Sequence, residues 1–453
     1  MEKVWLNYIE NKQYGRLKQL LADMNAADIS LLFDDVEEKQ LPLIFRLLPK
    51  ELAAQVFVEM DSDMQELLIH SFSDKELKEV MDELFMDDTV DIIEEMPATV
   101  AKRILKQQDP ASRRMINQIL AYPEDSVGSV MTTEYIDLNR HMTIKQAFDK
   151  IRRVGFETES IYCCYVISNS RRLLGIVSLK DLLLNPIDTV IGDIMEETLI
   201  FSHTHDDREL AVQQINKYDL LAIPVVDNEG RLVGIVTVDD AMDVLTEELS
   251  EDMDMMAAIV PNEKTYFKIG VLETFRSRIP WLLFLMISAT FTGMIIAGFE
   301  EKLTACIALI AFIPMLMGTG GNAGSQSAVT VIRALSLGDI TFRDIGRVFW
   351  KELRVSVICG VVLGVISLLK LYLVDHLLLG AFDIGMAIGE MLTVAITLVF
   401  VVILAKLVGA TLPIIAKRLG FDPAVMASPL VTTILDALSL LLYFGVAAAL
   451  LGL

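Results

Sequence analysis

The sequence predicts a multidomain membrane protein: an all-α superhelical front domain, a duplicated α/β pair, a connecting helix and an all-α transmembrane domain of five helices. Three observations carry that prediction. Apolar runs of about 20 residues crowd positions 279–453, long enough to cross a bilayer. An eleven-residue motif occurs twice, about 60 residues apart. Acidic or proline breaks interrupt a helix-prone start every 10–14 residues. The expected boundaries are 1–126, 127–187, 188–246, 247–278 and 279–453.

The front domain is read from its breaks. LPKEL, SFSDKEL, FMDDTVD, EMPATVA and QQDPASR each offer Ser, Asp or Pro at a helix start, followed by a short apolar-periodic segment. That spacing is too short for two-helix repeats and suits a compact superhelix of short helices. The start MEKVWLNYIENKQYG carries no apolar run after its charges, so it does not read as a signal peptide.

The repeat comes next. Residues 173–183 read LLGIVSLKDLL and residues 232–242 read LVGIVTVDDAM, while Met131 in the first copy is echoed by Met195 in the second. In each copy a helical pattern (TIKQAFDKIRR; RELAVQQINKY) precedes two short β runs joined by hairpin-like turns, NSRR and NEGR. The doubled GIV-[ST]-[LV]-x-D resembles a pair of cystathionine-β-synthase (CBS) domains. That resemblance implies a regulatory module that binds nucleotides or ions between its copies. The connector after it, from TEELSEDMDMM to VLETFRS, is helix-prone and interrupted by Pro261.

Membrane spans are expected near 280–299, 303–330, 352–374, 386–412 and 424–451. Arg333, Arg343, Arg347, Lys351 and Arg354 crowd the connection between the second and third, and Lys417 and Arg418 lie between the fourth and fifth. The positive-inside rule then places the N-terminus in the cytosol and the C-terminus outside a plasma (inner) membrane. Composition agrees: 53% of 453 residues are hydrophobic, which excludes a disordered chain and an ordinary soluble enzyme. Residues 279–453 hold ten acids and ten bases, so the whole net charge of −23 sits in front of them. So acidic a front disfavours nucleic acid and suits cations. Cys163, Cys164, Cys306 and Cys359 show no zinc spacing and read as inert thiols in a reducing compartment.

An ionisable group inside a span is a functional candidate by default. Asp436 falls near the middle of the fifth span, and a cation ligand in a hydrated path fits it better than a structural hydrogen bond. Pro429 is expected to free a backbone carbonyl there, with the hydroxyls of Ser428, Thr432 and Thr433 on the same turns. Glu390 reads as a mouth residue, and Lys370 and Lys406 as side chains snorkelling from span ends to the interface. The run GTGGNAGSQSA, with Gly318, Gly320, Gly321 and Gly324, lacks the Lys of a phosphate loop and suits close helix packing. No Ser/His/Asp set, Walker loop or dehydrogenase fingerprint appears, so neither catalysis nor hydrolysis-driven transport is expected.

Five spans, the segment PMLMGTGGNAGSQSA, DPA followed by SPLVTTILD, a CBS pair and an acidic helical front together resemble the MgtE family of magnesium channels, over essentially the whole chain. The resemblance implies a homodimer with its pore between two membrane domains. It implies that Asp436 binds hydrated Mg²⁺ with help from the Thr432 carbonyl, Asp422 in DPA joining the set. Magnesium sheds water reluctantly, so a few carboxylates suit it. It also implies that cytosolic Mg²⁺ is sensed by Asp87 and Asp91, by Glu209, Asp219 and the Asn216 carbonyl, and by Asp240, Glu248, Glu251 and Asp252. Ser325 and Ser428 stand where relatives often carry Asn, which bears on selectivity. A broader divalent transporter for Co²⁺ or Mn²⁺ and a non-conducting CBS sensor are the alternatives. The oxygen-only ligand set argues against zinc, and an adenine nucleotide in the CBS cleft is a further expectation.

Overall fold

The computed structural model describes residues 2–156, 158–262, 266, 269–299, 307–373, 388–426 and 428–451. Cys306 and the expected connection around 374–387 lie outside the described residues. The chain forms two compact units, Met1–Leu245 and Thr246–Leu453.

The first unit begins with ten short helices, from α1 (Glu2–Glu10) to α10 (Pro110–Ile119). The five expected breaks start α5 (Lys50–Val58), α7 (Asp74–Met81), α8 (Met86–Glu95), α9 (Ala98–Gln107) and α10. Two of these starts have a local side-chain cap. Ser73 and Glu76 form a reciprocal capping box on α7, and Asp109 accepts from Ala111 and Ser112 N–H ahead of Pro110. The apolar faces close over Phe45, Phe57 and Phe72, whose ring centroids lie 5.4–6.3 Å apart. Arg103 ties one helix end to the next helix start by donating to the carbonyls of Ile69 and Phe72 and to Asp74, the first residue of α7.

The repeat forms two three-stranded sheets. β1 (Tyr135–Asn139) pairs parallel with β2 (Ser160–Ile167), which pairs antiparallel with β3 (Leu173–Ser178). β4 (Ser202–His203), β5 (Ala222–Val226) and β6 (Leu232–Thr237) repeat the pattern. The intervening helices are α11 (Ile144–Val154), α12 (Leu179–Leu184), α13 (Ile191–Ile194) and α14 (Arg208–Tyr218). The sequence pattern predicts two β runs per copy; β1 and β4 add a third. The turns do what their residues allow: Gly230 (φ 75°) and Arg171 (φ 62°) take left-handed backbone at the hairpin tips.

The Met131–Met195 echo has a physical reason. A methyl on Gly234 would meet the Met131 sulfur at 2.7 Å, and one on Gly175 would meet the Met195 sulfur at 2.9 Å. Thr132 pairs with Ile235, and Glu196 with Ile176. Each copy therefore lays its opening segment on the last strand of the other, so the pair folds as one body.

Helix α15 (Val238–Met256) runs without interruption through the boundary expected at 246 and ends five residues before Pro261. Among its described residues the second unit contains five long helices: α16 (Val271–Gly298), α17 (Ile313–Ser336), α18 (Ile345–Lys370), α19 (Ile388–Arg418) and α20 (Ser428–Leu451). Among the described residues four stretches are long and apolar enough to cross a membrane: Val271–Gly298, Phe342–Leu373, Gly389–Arg418 and Pro423–Leu451. The glycine-rich α17 is too polar to join them, yet it packs centrally, against α19 and α20. It buries Gly320, Gly321, Gly324, Ser327 and Ala328, whereas the more apolar α16 buries nothing within one chain.

Candidate functional site

Asp436 sits on α20, half-buried, next to the fully buried Leu435. Pro429 is the second residue of that helix, where a missing N–H costs nothing. It therefore starts the helix rather than freeing a carbonyl inside it, which corrects the expectation from sequence. Its own carbonyl accepts from both the Thr432 and Thr433 hydroxyls, each at 2.9 Å. The glycines of α17 press on this same stretch. A methyl on Gly321 would meet Thr432 Cγ2 at 3.1 Å, one on Gly320 would meet Ser439 Oγ at 2.9 Å, and one on Gly324 would strike Leu435. Close packing is thus why Gly320, Gly321 and Gly324 are glycine, and it forms a wall against Thr432, Leu435 and Ser439, which flank Asp436 on its helix. Gly318 has open space around it. Glu390 is half-buried near the start of α19 and Lys370 exposed at the end of α18.

Lys406 overturns its expectation. It does not snorkel: it is only 7% exposed, with Nζ 3.4 Å from Ser327 Oγ. Ser327 in turn donates to Glu352 Oε2 at 2.8 Å. The physical reason is helix length. α19 continues through Pro413 to Arg418, so Lys406 lies well inside the helix rather than at its end.

The second half of α15 carries Glu248, Glu251 and Asp252. Met255 and Met256 pack on the apolar core of the membrane unit, and Asp252 accepts from Ser336 Oγ at 3.2 Å, at the end of α17. Burial, then the charges of Asp422 and Glu248, raise the Asp252 carboxyl above the usual range; Ser336 and Lys417 oppose this. Lys417 Nζ also donates to the Leu335 carbonyl at 3.3 Å, capping α17. Asp422, exposed, accepts from Ala424 N–H at 2.7 Å. Connector acids and the DPA loop thus meet at the end of the glycine-rich helix.

In the first unit, α8 brings Asp87 and Asp88 against the CBS pair. Asp87 is 6% exposed. Burial, then the charges of Asp240, Asp88 and Glu159, push its carboxyl well above the usual range. Asp88 is pushed up to about 6 by burial and Asp240, and Glu159 up to about 8 by burial, Asp240 and Asp88. Asp240 is raised by burial and Asp239, against hydrogen bonds from Thr237. Glu134 accepts from the first N–H of α8, that of Met86, at 3.0 Å, a favourable end of the helix dipole for a carboxylate. Of the expected residues, Asp87 and Asp240 come together here, while Asp91 lies one turn on and is exposed. Glu209, Asn216 and Asp219 lie on α14 and its end, where Glu209 accepts from Gln213 at 3.1 Å and Asp219 closes the helix with φ 52°. Asp88, Glu134 and Glu159 escape the sequence reading. The last two come from loops flanking β1 and β2, and no periodicity marks them. Among the described residues no three acidic, His or Cys side chains are arranged to hold a metal ion by themselves.

Comparison with known proteins agrees in order and extent. Three family models match: the MgtE intracellular N domain at 24–125, the CBS domain at 127–187 and 191–247, and MgtE, described as a divalent cation transporter, at 313–446. The magnesium transporter MgtE of Thermus thermophilus is 35% identical over 457 residues, covering 99% of both chains. That of Bacillus subtilis is 32% identical, covering 97% of this chain and 99% of its own. A crystal structure of the cytosolic domain of the Mg²⁺ channel MgtE in complex with ATP superposes with a TM-score of 0.52. It is 31% identical and covers 54% of this chain and all of its own.

Proposed function

Because the chain belongs to the MgtE family, we propose that it is a homodimeric magnesium channel of a plasma membrane, closed by cytosolic Mg²⁺ bound among its acidic domains. The observation that carries this is Asp436, a carboxylate on a membrane-crossing helix backed by the glycine wall of α17. An isolated charge there is expensive unless water and a cation share it. One carboxylate from each of two chains, with the Thr432 carbonyl, suits an ion that keeps most of its water. Basic residues at both ends of the α17–α18 connection, with Lys417 and Arg418, support a cytosolic N-terminus and an external C-terminus.

Gating follows from the acids. Asp87, Asp88, Glu134, Glu159 and Asp240 repel one another where α8 meets the CBS pair, and a divalent cation there favours the docked state. Asp91, Glu209, Asn216 and Asp219 add cytosolic ligands, and Glu248, Glu251, Asp252 and Asp422 extend the same chemistry to the connector. Moving a gate from mostly open to mostly closed needs about 5.5 kcal/mol of differential binding, hence several weak sites rather than one. An adenine nucleotide belongs to the reading too. Ser178 bonds Asp181, and Thr237 bonds Asp240, at matching places in the two copies. These hydroxyl–carboxylate pairs are groups a ribose could use.

The test is Mg²⁺ uptake into liposomes holding the full chain, with Co²⁺ and Mn²⁺ as competitors. Asp436→Ala is expected to insert normally and pass no Mg²⁺, and Asp436→Asn to bind it more weakly. Wild-type uptake by the alanine variant at equal abundance overturns the assignment, and equal flux of all three ions makes this a broader divalent transporter.

A further inference from the structure

The membrane unit contains a charge that the transport reading leaves unused. Lys406 is 7% exposed and Ser327 2% exposed, and their contact joins α19 to α17. Ser327 passes the contact on to Glu352 of α18 by donating its hydroxyl hydrogen. Because that hydrogen is committed to the carboxylate, the serine meets the ammonium with a lone pair, and the rotamers of all three side chains are set together. One polar bridge, buried at Lys406 and Ser327 and half-buried at Glu352, thus spans three helices.

Its position gives it leverage. Ser327 lies one turn after Gly324 on α17, and Lys406 one turn before Gly409 on α19, so the bridge lies beside the point where these helices touch. There a methyl on Gly409 would run into the Gly324 carbonyl. The opposite contacts of α17 are equally tight. Gly321 faces Thr432, Gly324 faces Leu435 and Gly320 faces Ser439, so a rotation of α17 has nowhere to go but into the stretch around Asp436. Packing fixes how closely α17 approaches and where a rotation would collide, but glycine contacts give no directional hold on its rotation and register. A directional hydrogen-bonded bridge fixes both.

We propose that Lys406, acting through Ser327 and Glu352, is a positioning residue that holds α17 in the one rotation that shapes the ion path opposite Asp436. This rests on the reading of Asp436 as the ion-binding residue. Lys406 does not touch the ion; it sets the wall the ion passes. Replacing a buried charge pair with uncharged side chains of similar volume is commonly neutral or stabilising, so stability and transport part company if the bridge exists for positioning.

The experiment compares wild type, Lys406→Met, the double variant Lys406→Met/Glu352→Gln, Lys406→Arg and Asp436→Ala in liposomes at equal abundance, with thermal midpoints in detergent. The double variant is expected to keep or raise the wild-type midpoint and the wild-type half-saturating Mg²⁺ while its maximal rate falls about tenfold, the scale of misplacing a working geometry by a fraction of an ångström. Lys406→Arg, which keeps the cation, is expected to recover part of that rate. Wild-type maximal rates in both Met variants overturn the proposal. So does a rate loss that only tracks a lowered midpoint, since the bridge then serves stability alone. Asp436→Ala separates the two readings. If it is silent while the bridge variants conduct normally, only the positioning role fails; if it conducts normally, the ion-binding assignment fails with it.

Discussion

Asp87 and Lys406 are both ionisable side chains with less than a tenth of their surface exposed, at 6% and 7%. The two units treat them in opposite ways. Asp87 is surrounded by its own sign, from Asp240, Asp88 and Glu159. Lys406 is led through Ser327 to an opposite charge on Glu352. Each arrangement is costly to build, but only the second balances within the chain. A gathering of buried carboxylates is held together from outside, by protons or by cations, and so reports on both. A bridged ammonium is answered from inside the chain and, in the positioning proposal, serves geometry. On the proposed reading, the contrast separates a sensing region from a scaffolding one without reference to where the ion passes.

Reversing the membrane charge breaks the comparison most severely. Lys406→Glu would place a second carboxylate beside Ser327 and Glu352, and leaving a buried charge unpaired costs about 3–5 kcal/mol. The variant is expected to lose most folded protein in detergent, read by size-exclusion yield; a normal yield would show that Lys406 is not enclosed. Next is the close approach beside it. Gly409→Ala puts a methyl against the Gly324 backbone, which cannot swing aside, and overpacking of this kind costs about 1–3 kcal/mol. A thermal midpoint unchanged by that substitution would contradict the packing of α17 on α19.

The front unit responds with the other sign. Neutralising Asp87→Asn with Asp240→Asn removes mutual repulsion, so without divalent ions the variant is expected to gain about 1–2 kcal/mol while losing Mg²⁺-dependent stabilisation. Loss of stability without Mg²⁺ would mean that these acids are already compensated. The pH effect, taken over one pH unit, is the smallest. Asp88 is raised to about 6 and Glu159 to about 8, so the folded state holds protons that the unfolded chain releases near pH 4. Stability therefore falls as pH rises from about 4 toward 8 and levels off above. Solvent screening of these partly exposed groups keeps the slope to about 1 kcal/mol per pH unit or less. Calorimetry of the full chain from pH 5.5 to 8.5 is expected to show that decline in chelator and little of it in millimolar Mg²⁺.

Much of the architecture is legible because its signals are local. Ser73, Asp109 and Pro97 announce helix starts within a few residues, the GIV repeats announce the paired sheets, and uninterrupted apolar runs announce most of the membrane helices. What escapes depends on partners distant in sequence. β4 is two residues long and forms only because β5 lies beside it. The exchange of opening segments shows in sequence only as an echo of two methionines, since their glycine partners sit in the other copy. Glu134 and Glu159 enter the acid cluster from loops, where neither heptad nor alternation flags a carboxylate. Lys406 reads as an interfacial lysine because the apolar run around it reads as a span ending at 412, whereas the helix continues to Arg418 and buries the lysine. Asp436 is legible because a carboxylate in a long apolar run stands out without any structure.

The central claim, that divalent cations complete the acidic region and draw the cytosolic domains into the closed arrangement, meets its most direct test in limited proteolysis of the full chain in liposomes. Cleavage near the connector, around residues 246–262, is followed as Mg²⁺ is raised at constant ionic strength. The account predicts that cleavage falls steeply in the millimolar range and that Asp87→Asn/Asp240→Asn flattens the fall. Absent protection, or protection matched by monovalent salt at the same ionic strength, would contradict specific bridging and leave only charge screening.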